Sequence, residues 1–137
     1  AHEYDSRSVV SNDLDADGRP DLLVVEERWL PDHGSRRHYV HVLRNEWPGK
    51  RRWVGAHLGG TGKGFSPIGS VVTLRTSMGT QVVPVVTGDS FSSQHAPTVH
   101  FGLGDAKPES LEVRWPNGKT SRLNQPAINQ YHNVNPE

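Results

Sequence analysis

Residues 13–21 read Asp-Leu-Asp-Ala-Asp-Gly-Arg-Pro-Asp, with carboxylates at the first, third, fifth and ninth places and a glycine at the sixth. Like charges packed this densely repel, so a compact loop here requires a counter-ion. Alternate side chains of a tight loop turn toward a common centre. Calcium takes about six to eight oxygens at roughly 2.3–2.6 Å in a flexible shell. The spacing therefore predicts a Ca2+ site in which Asp13, Asp15 and Asp17 give carboxylates, Arg19 gives its backbone carbonyl, and Asp21 closes the cage. Asn12 or water completes the shell, and Gly18 permits the sharp turn.

The residues after the loop distinguish it from an EF-hand, which carries a bidentate glutamate at its twelfth position and runs into a helix. Here that position is Val24, and Pro20-Asp21 lead into Leu22-Leu23-Val24-Val25. An apolar, partly β-branched run of this kind reads as a buried strand. The loop is thus a cation-type turn that feeds a sheet.

The rest of the chain agrees with a β architecture. It holds 14 glycines and 10 prolines among 137 residues, and no helical 3.6-residue pattern persists. Short β-type runs recur between turn signals, and strands are predicted over 21–27, 38–44, 53–58, 69–76, 80–87, 98–101, 110–115, 120–123 and 130–134. Leu111-Glu112-Val113-Arg114-Trp115 alternates apolar and charged residues, as on a half-buried strand. Pro116-Asn117-Gly118 then reads as a hairpin turn of the Asn-Gly kind. Pro84 removes a ladder donor, which puts its strand at an edge or a bulge.

Asn45-Glu46-Trp47-Pro48-Gly49-Lys50 has the composition of a boundary. It divides the chain into 1–50, a loop with one hairpin, and 51–137, with enough strands for a sandwich. The expected fold is all-β: a propeller-blade-like calcium hairpin joined to a small antiparallel β-sandwich. An isolated two-stranded hairpin is marginal by itself.

Charge and composition exclude several classes. Fifteen basic residues balance fifteen acidic ones, so the basic footprint of a nucleic-acid binder is missing. No apolar run approaches the roughly 20 residues of a membrane-spanning helix. Without cysteine there are no disulfides and no thiolate metal sites.

Other constellations read more simply than their motifs suggest. Gly59-Gly60-Thr61-Gly62-Lys63-Gly64 lacks the Ser or Thr that follows the lysine of a phosphate loop, so it reads as a flexible hairpin loop. His38 and His41 fall on opposite faces of one strand, which keeps them, with nearby His33, from sharing a metal. Ser90, Ser92 and Ser93 lie near Asp89 and His95 without the strand-to-helix elbow of a hydrolase, and read as a self-bonded polar loop. Trp53 and Trp115 sit in strand patterns and read as core, whereas Trp29 and Trp47 sit near turns and are better placed for a ligand or a subunit.

Two resemblances emerge from these residues. Val10 to Glu46 resembles one FG-GAP or VCBS repeat, the blade of integrin-type β-propellers, through Asp13-Leu14-Asp15-Ala16-Asp17-Gly18-Arg19-Pro20-Asp21-Leu22 and Leu43-Arg44-Asn45-Glu46. From about Arg52 the chain resembles the ASPIC/UnbV domain, through Trp53, Leu58, Gly64, Ile68-Gly69, Thr87-Gly88, Ser93-Gln94, His100-Phe101-Gly102-Leu103-Gly104 and Val113-Arg114-Trp115-Pro116-Asn117-Gly118. The resemblance implies a secreted or cell-surface, non-catalytic module with calcium in the aspartate loop. One blade leaves strand edges unpaired, and such edges are templates for pairing. The partners so implied are upstream propeller blades or copies of the chain itself, in a homo-oligomer or polymer. The expected function is a calcium-binding extracellular structural or adhesion module. A carbohydrate-binding module of a larger secreted protein, with a glycan as partner, is the alternative.

Overall fold

The computed structural model describes residues 5–49, 52–59 and 66–136. The glycine run at 60–64, including Gly64 of the second resemblance, lies outside the described residues. Contacts divide the chain into two units, Ala1–Pro48 with Gly88–Ala96, and Gly49–Thr87 with Pro97–Glu137. The first unit therefore takes in a segment that lies far away in sequence.

The first unit is an antiparallel meander of β1 (Asp5–Asn12), β2 (Asp21–Leu30) and β3 (Ser35–Leu43). The expected hairpin is thus a three-stranded sheet. β1 escapes a hydrophobicity reading because Asp-Ser-Arg-Ser-Val-Val-Ser-Asn carries only two apolar residues; it is recruited by pairing with β2 from Asp5↔Glu27 to Asn12↔Asp21. The register shifts between Ser6 and Ser8, a bulge that leaves Arg7 as the extra residue. β2 and β3 are joined by a 3₁₀ turn over Pro31–His33, ended by Gly34 in the left-handed region. All nine β3 residues are exposed. Among the described residues of this unit no apolar side chain is buried; Asp21 and Glu26 are.

The second unit contains β4 (Trp53–Leu58), β5 (Val71–Thr76), β6 (Gly79–Pro84), β7 (Thr98–Gly102), β8 (Pro108–Arg114), β9 (Thr120–Asn124) and β10 (Tyr131–Val134). They form a three-stranded sheet, β10-β4-β7, and a four-stranded sheet, β6-β5-β8-β9. One apolar cluster joins them: Val54, Ala56 and Leu58 of β4, Val99 and Phe101 of β7 and Val134 of β10 meet Val72, Leu74, Leu111 and Val113 of β5 and β8. The alternation in β5 and β8 gives this directly, since every second residue faces inward. Trp115 is buried too, and its indole N–H donates to Ser121 Oγ at 2.8 Å, so the core carries no unsatisfied donor there.

Three details refine the sequence expectation. β10 pairs parallel to β4, so the smaller sheet is mixed while every other ladder is antiparallel. β6, with Pro84 at its end, lies at the sheet edge. The β8–β9 turn has Gly118 N–H donating to Trp115 O at 3.0 Å, and Gly118 alone in the turn has positive φ (82°). Pro116 has no N–H to donate as the residue before a two-residue Asn-Gly turn, and it instead takes the first central place of a three-residue loop, closed by the glycine, with Trp115 N–H donating to Lys119 O at 2.8 Å. Gly55 has a separate reason: a Cβ there would clash with the ring of Tyr131, which lies against the β4 backbone.

Candidate metal centre

The aspartate loop joins β1 to β2. Side-chain oxygens organise its backbone from within. Asp13 Oδ1 accepts the Asp17 N–H at 3.0 Å and Asp13 Oδ2 the Gly18 N–H at 2.9 Å. Asp17 Oδ1 accepts the Arg19 N–H at 2.9 Å. Ala16 (φ 58°) and Gly18 (φ 85°) both take left-handed conformations, which curl the chain and bury Gly18. A non-glycine residue in that region is uncommon, and short carboxylate-to-backbone bonds of this sort are what hold it there.

Curling brings three carboxylates together. One oxygen from each of Asp13, Asp15 and Asp17 lies within 4.8 Å of the others. Oxygens that share one calcium ion can be at most about 5 Å apart, so the three carboxylates are close enough together to contact one such ion. Asp15 and Asp17 are exposed and Asp13 is partly buried, so the cluster opens to solvent.

Asp21 occupies a different place. It is 3% exposed; its Oδ2 accepts the Leu14 N–H at 3.2 Å and its Oδ1 the Asn45 N–H at 2.7 Å. Asn45 Nδ2 in turn donates to Pro20 O at 3.2 Å. Asp21 and Asn45 thereby tie both ends of the loop to the residues leaving β3. The converging group comprises Asp13, Asp15 and Asp17. Arg19, expected to matter through its carbonyl, also places its guanidinium on Asp17. Arg44 contacts Asp15 Oδ2 at 2.6 Å and reaches within 3.8 Å of Asp17 Oδ2. The parts played by Arg44 and Asn45, more than twenty residues from the loop, depend on the β2–β3 register that returns the chain to it.

The remaining constellations fall as follows. His38 and His41 meet different carboxylates, Glu27 at 3.3 Å and Glu26 at 2.8 Å, on opposite faces of the sheet. Asp89 Oδ2 and His95 Nδ1 are 2.8 Å apart, while Ser90 Oγ accepts the Val9 N–H at 3.1 Å. Trp29 and Trp47 are exposed, and Trp53 and Trp115 are buried.

The molecule is thus an all-β protein that pairs an aspartate-loop meander with a two-sheet β unit. The ASPIC and UnbV family pattern matches residues 60–137, more than half of the chain, and the chain belongs to that family. It is similar to Cartilage acidic protein 1 of Xenopus tropicalis, 31% identical over 123 residues, covering 87% of this chain and 18% of that protein. It is also similar to Cartilage acidic protein 1 of Homo sapiens, 30% identical over 112 residues, covering 80% of this chain and 16% of that protein. The chain therefore spans less than a fifth of the length of these relatives. No helix among the described residues is long and apolar enough to cross a membrane.

Proposed function

We propose that this chain is a non-catalytic, calcium-binding structural module of an extracellular or cell-surface protein. The convergence of Asp13, Asp15 and Asp17 within 4.8 Å on one curled turn carries the reading. In it these carboxylates and the Arg19 carbonyl are ligands, and Asp21, which accepts the Leu14 and Asn45 N–H groups, closes the loop. Bound Ca2+ would supply positive charge that offsets the repulsion of the aspartates. The consequence is mechanical: a neutralised loop fixes how β1 runs into β2 and, through Asn45, how the chain leaves β3.

The extracellular assignment draws on family membership and on the likeness to proteins named for cartilage. It also suits the affinity class, since sites of this kind in extracellular modules bind at about 10⁻⁴–10⁻³ M, useful only where calcium is plentiful. The exposed β3 strand and the absence of buried apolar side chains among the described residues of the first unit support association through its sheet, with further blades or with other copies.

Isothermal titration of the metal-free chain with CaCl2 tests the cation reading. Saturable one-site binding that Asp15→Ala abolishes is the expected result. Binding that survives Asp15→Ala unchanged refutes the loop assignment.

A further inference from the structure

The first unit carries a cleft of about 390 Å³ between its sheet and the 88–96 segment. That is within the range of small-ligand sites, roughly 300–1,000 Å³. Val25 and Glu27 of β2 line it from one sheet face, and Arg36 and His38 of β3 line it beside them, with His38 paired directly opposite Glu27. Arg7 enters from β1 at the bulge, where the extra residue re-aims its side chain.

The charges converge. Glu27 Oε1 lies 2.8 Å from Arg36 and 3.5 Å from Arg7, and Glu27 Oε2 lies 3.3 Å from His38 Nε2. Arg7 also meets Asp5, which is outside the lining, at 2.7 Å. Within the lining, two permanent cations and an imidazole thus face a single carboxylate. Each guanidinium carries five N–H donors in a planar fork that matches a carboxylate. Counting Asp5, the two guanidiniums are balanced by two carboxylates, but each is engaged through a single terminal nitrogen (Arg7 Nη2, Arg36 Nη1), which leaves N–H donors on both forks for one more planar anion, with the Glu27 oxygens and the Ser92 hydroxyl beside it to bond hydroxyl groups. Phe91, 65% exposed, adds an aromatic face. The segment carrying it is anchored: Ser90 accepts the Val9 N–H, Ser90 and Ser93 form a bridge, and the 2.8 Å Asp89–His95 contact closes its base.

We propose that this cleft binds an acidic saccharide, its carboxylate on Arg7 and Arg36 and the C–H face of its ring on Phe91. The cleft shares no residue with the aspartate loop, so this proposal stands apart from the calcium reading. The test is an NMR titration of the 15N-labelled chain with glucuronate, glucose and acetate, in calcium and in chelator. Glucuronate is expected to shift resonances of Arg36, His38, Phe91 and Ser92 and to bind at least tenfold tighter than either control. Arg36→Ala should weaken glucuronate at least tenfold. Phe91→Ala should reduce glucuronate to the level of acetate, and because this ring is exposed it serves as the test if Arg36→Ala perturbs the fold. Glucuronate no tighter than acetate or glucose, shifts located elsewhere, or indifference to both substitutions would overturn the proposal.

Discussion

The two units are built from the same kind of strand but held together differently. The second encloses one apolar cluster, in which Val54, Val72, Leu74, Leu111 and Val113 are wholly shielded from water. The first has three strands of regular sheet and no fully buried apolar side chain among its described residues; what it buries is Asp21 and Glu26. Burying a Val or Leu side chain contributes about 1.5–3 kcal/mol, whereas exposed ion pairs such as Arg44–Asp15 contribute about 0–1 kcal/mol. Sheet regularity alone therefore says little about stability. The second unit has what an autonomous fold requires, while the first depends on loop organisation, ionic contacts and whatever covers its faces.

The sharpest way to break this contrast is a matched pair of truncations. Leu111→Ala removes a wholly buried side chain and should cost about 2–5 kcal/mol, whereas Val42→Ala, at a site 60% exposed, should change stability by no more than about 0.5 kcal/mol. Urea unfolding measures both, and equal losses would refute the distinction. Next in size is Gly55→Ala. The added methyl must displace the Tyr131 ring, which stacks with His57 at 4.5 Å and tilts against Trp53 at 4.7 Å. A cost of about 1–3 kcal/mol is expected, with loss of the near-ultraviolet circular dichroism of the stacked rings.

Calcium should act on the other side of the comparison. An ion that binds only the folded form stabilises it by about 1.4 kcal/mol at ten times its Kd. Chelation should therefore speed hydrogen exchange in β1, β2 and the loop and leave the β4, β5 and β8 amides unchanged. Uniform or absent effects would separate the loop from the stability of its unit. Smaller still is Arg44→Ala. It removes a guanidinium that meets Asp15 at 2.6 Å, so the cluster becomes more negative. Calcium affinity, read by titration, should rise about 1.4- to 5-fold at low salt, since exposed pairs of this kind contribute roughly 0.2–1 kcal/mol. A fall in affinity would mean that Arg44 builds the site and does not compete for it.

How far the sequence reaches differs between the units in the same way. In the second, inward-facing apolar residues alternate visibly, as in Leu111 to Trp115, and strand positions follow from hydrophobicity. In the first, β1 forms because its backbone pairs with β2, and its side chains carry almost no signal. Spacing alone brings out Asp13, Asp15 and Asp17, because alternation in a tight loop is a local property. Asp21 has the same chemistry, yet it falls outside the convergent group and its oxygens accept the Leu14 and Asn45 N–H groups; the bond to Asn45 depends on where the chain returns after β3. Nothing local ties Gly88–Ala96 to a sheet more than forty residues upstream.

The last test concerns what lies against β3. This strand presents Tyr39, Val40, Val42 and Leu43 as exposed residues, with Val40 at 64%, along an edge that pairs with no further strand among the described residues. Long exposed edges are templates for another strand, and natural sheets commonly block them with lysine. Val40→Lys should leave the stability of the isolated chain within about 0.5 kcal/mol. If copies associate through this edge, the substitution should abolish the concentration dependence of sedimentation seen with the parent chain. A parent that sediments as a monomer at every concentration and calcium level would rule out self-pairing. Association undiminished by the lysine would instead place the contact on a face of the sheet and away from its edge.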